Sequence, residues 1–86
     1  MTPEEKGDAH QLLRLIGRNI ERLRRLRGLT HAQLGQRVGC SDRAIAAIEA
    51  GRRQLRIDDL ALLSGALDVA PDELFSRDRD EPMVEE

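Results

Sequence analysis

The chain has 86 residues, one aromatic side chain (Phe75), one cysteine and a formal net charge of −2 at pH 7. A chain of this size holds a single domain that buries roughly 60–65% of the surface its unfolded form exposes, and the shortage of rings makes its core aliphatic. No apolar run approaches the ~18 residues of a membrane-crossing helix, MTPEEKGDAH lacks the basic and apolar regions of a secretion signal, and one thiol closes no internal disulfide; a cytoplasmic protein is expected.

Residues 1–9 are polar and include Pro3 and Gly7, which predicts a loose acidic arm. From His10 to Arg27 the residues Leu12, Ile16, Ile20, Leu23 and Leu26 recur at helical spacing, with Arg14, Arg18, Arg22 and Arg25 on another face. A long amphipathic helix follows, stopped by Gly28. Thr30 and Gln33 then fit a capping box, since the hydroxyl accepts the third amide while the Gln side chain reaches back to the cap amide. The helix so opened carries Leu34 and Val38 one turn apart, and Gly39 supplies the positive φ of a sharp stop. Ser41 caps the next helix, Asp42 sits near its positive end, and Ile45 and Ile48 form its single apolar stripe. Gly35 lacks a Cβ at the position where the second helix is expected to cross the first. Leu34, Gly35, Val38, Gly39, Ile45 and Ile48 therefore agree on a helix-turn-helix, a plan whose second helix enters the DNA major groove.

Residues 50–56, AGRRQLR, make a basic turn, and Ile57, Leu60, Leu63 and Leu67 predict a fourth helix that stops at Asp68. Pro71, followed by Asp72 and Glu73, opens a short fifth helix ending near Phe75. Residues 77–86 are acidic and aperiodic, which predicts a disordered tail. The expectation is thus an all-α, compact five-helix domain over residues 10–76.

Charge divides unevenly along the chain: residues 1–13 carry −2, residues 14–56 carry eleven Arg against three acids, and residues 57–86 carry ten acids against two Arg. Basic charge is confined to the half that holds the helix-turn-helix, the footprint of phosphate contact. An enzyme is not expected, because there is no Ser/His/acid set, no glycine-rich phosphate loop, and no metal spacing around His10 or His31. The acid pairs Asp58–Asp59 and Asp72–Glu73 sit at helix starts, where the helix dipole accounts for them. No cofactor, metal or small-molecule ligand is expected, and Cys40 reads as a small buried hydrophobe.

With these positions identified, Ile16 to Phe75, about two-thirds of the chain, resembles the XRE family, the lambda-repressor-like helix-turn-helix domains. IGRNIERLRRLRGLTHAQLGQRVG is similar to the family's first two helices, SDRAIAAIEAGRR to its recognition helix and following turn, and LDVAPDELF to its closing segment. The resemblance implies a five-helix domain that binds double-stranded DNA as a homodimer. It places base contacts at Asp42, Arg43 and Ala47, and phosphate contacts at His31, Ser41, Arg52 and Arg53. It also implies an ion pair between Arg24 and Glu49.

The chemistry of each side chain fits these roles to a different degree. An Arg43 fork matches the O6 and N7 acceptors of guanine, a pairing worth about 1–3 kcal/mol, though many protein–DNA hydrogen bonds go to phosphate instead. Asp42 accepts from cytosine or simply stabilises the helix start. Ala47, where many relatives carry a polar residue, offers a methyl contact to thymine. His31 replaces the family's usual Gln and either donates to a phosphate or stands idle at the surface. Arg52 and Arg53 serve phosphates or the last carbonyls of their own helix. Leu55 and Arg56 stand where relatives often have Pro and a Ser or Thr cap.

The implied function is sequence-specific transcriptional regulation of the repressor or controller type. Homodimerisation is expected through the last two helices, including Leu74 and Phe75, because paired recognition helices span half-sites about 34 Å apart. The alternative is a protein-interaction or antitoxin-like module with weak or no DNA binding, its acidic tail from Asp78 to Glu86 taking a protein partner; a plain solubility tail is the simpler account of that segment.

Overall fold

A computed structural model describes residues 3–77, with side chains from residue 9 onward. Its elements are α1 (Pro3–Leu26), α2 (His31–Val38), α3 (Asp42–Glu49), α4 (Ile57–Ala66) and a closing 3-10 turn (Pro71–Phe75), with no strand among the described residues. α1 begins at Pro3 instead of His10, so residues 3–9, expected in an arm, continue its backbone. A proline is accommodated there because its missing N–H would have no partner in a first turn. The tail beyond Arg77 lies outside the described residues.

The five-helix expectation needs one correction. Four elements are α-helices, and the fifth is a 3-10 turn. The segment is only five residues long, the length at which 3-10 bonding is common, and it closes through Glu73 N to Ala70 O at 3.0 Å and Ser76 N to Glu73 O at 3.3 Å. Buried Asn19 on α1 ties down the end of that turn, its Nδ2 donating to both the Leu74 and Ser76 carbonyls at 2.8 Å. A second tie runs from Arg27, whose Nε donates to Leu67 O at 2.8 Å and whose Nη2 donates to Asp68 O at 3.1 Å.

Every element contributes to one aliphatic core: Ile16, Ile20 and Leu23 from α1, Leu34 from α2, Ile45 and Ile48 from α3, Leu63 and Leu67 from α4 and its end, and Leu74 from the turn. Leu12, Leu26 and Ile57, assigned to the apolar stripes by spacing, are exposed instead. Leu26 and Ile57 lie at helix ends, where a stripe runs past the neighbours that would cover it, and Leu12 lies inside α1 but ahead of Leu15, the first apolar residue of that helix that the core buries. At the end of α1 the stripe position passes to Arg27, bound to the end of α4, and Leu26 turns outward. Asp68 takes a φ of 60° at the end of α4, the left-handed stop that its position predicts.

Candidate nucleic-acid interface

α2 is fixed at both ends by groups that its sequence names. Thr30 Oγ1 accepts from Gln33 N at 3.0 Å, and Gln33 Oε1 accepts from Thr30 N at 2.8 Å. Gly39 closes the helix at φ 80°, and Cys40 N then donates to Gly35 O at 2.9 Å. Gly35 is required by that same closure, since a Cβ on it would run into the Cys40 carbonyl. The steric demand at Gly35 therefore comes from the turn, whereas the crossing against α3 is made by Gly17 of α1. A Cβ at Gly17 would sit 2.5 Å from the carbonyl oxygens of Ile48 and Glu49.

The turn delivers α3 with its inner side locked and its outer side open. Ile45 and Ile48 are buried, while Ser41, Asp42 and Arg43 are exposed. Ser41 Oγ caps the helix by accepting from Ala44 N at 3.1 Å. Asp42 Oδ1 accepts from Arg43 N at 2.8 Å, which gives that carboxylate a role at the helix start. The Arg43 guanidinium has no partner among the described residues. Ala44, Ala46 and Ala47 are half-buried, leaving a smooth methyl surface one turn on. Arg52 and Arg53 follow the helix and are exposed, with Arg53 on the wall of a cleft of about 160 Å³ that also involves Cys40, Asp59 and Leu62.

Behind this surface a three-residue cluster joins α1, α2 and α3. Arg24 Nε donates to Glu49 Oε2 at 2.6 Å and its Nη2 to Glu49 Oε1 at 3.2 Å, while Nη1 donates to Leu29 O at 2.8 Å. The bond to Glu49 raises the pKa of Arg24 against the opposing effect of burial, which keeps the guanidinium charged. His31, placed by resemblance at a phosphate, brings its Nε2 to 2.9 Å from Glu49 Oε1. Sequence reasoning missed this contact. Its only signal is a His in place of the usual Gln, and the partner stands on another helix.

The structure does not bring all the expected positions together. Leu74, expected at a dimer contact, is completely buried in the protomer's own core; Phe75 beside it is 40% exposed. The correction follows from alternation in a tight turn, where Leu74 points inward beneath the carbonyls held by Asn19 and its neighbour points out. Among the described residues no group of three His, Cys, Asp or Glu side chains could hold a metal, and no helix is long and apolar enough to cross a membrane.

The family model described as helix-turn-helix matches residues 20–74, which span α2, the turn, α3 and α4. The chain belongs to the XRE-type helix-turn-helix family. Among proteins of this family it is 38% identical over 63 residues to y4dJ, an uncharacterized HTH-type transcriptional regulator of Sinorhizobium fredii (strain NBRC 101917 / NGR234), covering 73% of this chain and 82% of that one. It is similar in structure to the restriction-modification controller protein C.AhdI from Aeromonas hydrophila, with a TM-score of 0.75 and 29% identity over 79% of this chain and 99% of the other. The hypothetical transcription factor NHTF from Neisseria shares the helix-turn-helix fold at a TM-score of 0.75 and 22% identity, with 86% and 88% of the two chains covered.

Proposed function

We propose that the chain is a DNA-binding transcriptional regulator of the repressor or controller type that works as a homodimer in the cytoplasm. The amino end of α3 enters the major groove, Arg43 reads a base, and His31, Ser41, Arg52 and Arg53 hold the flanking phosphates. Asp42 and Ala47 supply the remaining contacts at the groove, through a carboxylate and a methyl group. The observation that carries this reading is the Arg43 guanidinium, exposed and without a partner among the described residues, on a helix whose other side is buried. Family membership and the likeness to a restriction-modification controller support the same conclusion. The apolar outer side of α4, with Ile57 82% and Leu62 52% exposed, is the surface that a second copy covers.

Selection of bound sequences from random duplex DNA, run in parallel on wild type and Arg43→Ala, tests the assignment. Wild type should enrich one paired motif, and the variant should lose about 1–3 kcal/mol of preference at one base position per half-site while still binding. Affinity should also fall with salt by a log–log slope of about 0.9 per neutralised phosphate. Enrichment of no sequence, together with the absence of a salt slope, would favour the protein-interaction alternative.

A further inference from the structure

His31 has its two ring nitrogens in unlike surroundings. Nε2 lies 2.9 Å from Glu49 Oε1, and the Glu49 carboxylate is also bound twice by Arg24. A carboxylate held in its charged form by a guanidinium only accepts hydrogen bonds, so Nε2 must carry a hydrogen whatever the charge of the ring. In neutral His31 that leaves Nδ1 as a bare acceptor. Nδ1 has no partner among the described residues and is not among the buried atoms that lack one, while the side chain as a whole is 39% exposed; Nδ1 is therefore open to solvent. An acceptor there repels a phosphate oxygen, and a second proton turns it into a donor.

We infer that His31 grips a DNA phosphate only when its ring carries both protons, so that DNA binding is coupled to proton uptake at one site per protomer. This rests on the DNA-binding reading above and adds a proton coupling to it. The charged groups that face the ring come from two neighbouring helices. α3 supplies Glu49, and α1 supplies Arg24 together with Glu21, which lines the same shallow cleft as His31, Ala46 and Ala50. Glu21 also pairs with Arg25 at 2.6 Å. Two carboxylates, the Arg24 guanidinium and the amino end of α2 thus surround the ring. A bound phosphate adds a negative charge beside the ring and so favours its doubly protonated form, which is the origin of the coupling. A Gln at this position, the usual residue of the family, donates at any pH and would carry no such linkage.

The sign follows directly. Phosphate contact raises the proton affinity of the ring, so the added DNA affinity is fully present below the pKa of the free protein and is lost as pH rises through that of the complex. The experiment measures binding to a mixed-sequence duplex of about 20 base pairs at low, constant salt, between about pH 5.5 and 8, where histidine is the side chain that ordinarily changes charge. Wild type should lose about tenfold or more in affinity per protomer across that range. Calorimetry in buffers of different ionisation heat should show about half a proton or more taken up per protomer near the midpoint. His31→Gln should bind with a flat profile and no uptake, and His10→Gln should keep the wild-type profile. Equal slopes in wild type and His31→Gln, or a flat wild-type profile with DNA still bound, would overturn the coupling and leave the DNA reading intact. Failure of wild type to bind at any pH would remove both.

Discussion

Single positions in this protein matter through backbone distance more than through side-chain chemistry, and Gly17 shows it. It lies where α1 crosses the end of α3, and a methyl group there would press to 2.5 Å on the Ile48 and Glu49 carbonyls. Neither backbone group can swing aside as a flexible side chain would, so α1 must move off α3. Gly17→Ala should therefore cost about 3 kcal/mol of stability, at the upper end of ordinary overpacking, despite its gain in helix propensity. Urea unfolding followed by circular dichroism measures it, and a change below about 0.5 kcal/mol would show that the crossing has slack. The sequence made Gly35, Gly39 and Ser41 legible because their demands are local to one turn. Gly17 and the His31–Glu49 contact were not legible, because each depends on which helix lies opposite, and no spacing along one strand of sequence encodes that. The Arg24–Glu49 pair became visible only through family resemblance.

Helix ends account for most of what the sequence made clear at the scale of elements, and for what it did not. The Thr30–Gln33 box and the Ser41 cap form as their residues dictate, since each hydrogen bond closes within three positions. The last element came out differently because five residues close as a 3-10 turn, and its end is tied down by Asn19, far back on α1. α4 is the weak entry. Arg56 occupies its cap position, and a guanidinium has no acceptor, so only the reciprocal half of a box forms, through Arg56 N to Asp59 Oδ2 at 2.9 Å. Arg56→Ser would add the missing acceptor for an amide of the first turn and should stabilise the protein by about 0.5–1 kcal/mol. A rise in Tm of roughly 3–6 °C would report it. An unchanged Tm would mean that the half-box already satisfies the helix start.

Taken as a whole, the molecule leaves α4 in an unbalanced position. Beyond its two acids in the first turn, Asp58 and Asp59, the helix runs Leu60, Ala61, Leu62, Leu63, Ser64, Gly65 and Ala66, apolar on both sides apart from one Ser. Leu63 and Ser64 are buried against the core, while Ala61, Leu62 and Gly65 face outward without a charge among them. A helix that is apolar all round is normally covered on all sides, and the protomer covers only one side of this one. Phe75, in the turn packed on α4, adds exposed ring surface, and small residues at Ala61 and Gly65 permit close approach of another helix. A second copy related by two-fold symmetry, as proposed above, would bury the same patch on both sides and set two α3 helices at a fixed separation, as a paired DNA site requires. Leu62→Glu combined with Phe75→Glu places like charges across that contact without touching the core. The variant should keep its helical circular dichroism, sediment as a monomer where wild type sediments as a dimer, and lose about 100-fold or more in affinity for a paired site, because each half then binds without the gain from its tethered neighbour. A wild-type protein that sediments as a monomer both free and on DNA would remove the dimer; a charged variant that still pairs would move the contact away from α4.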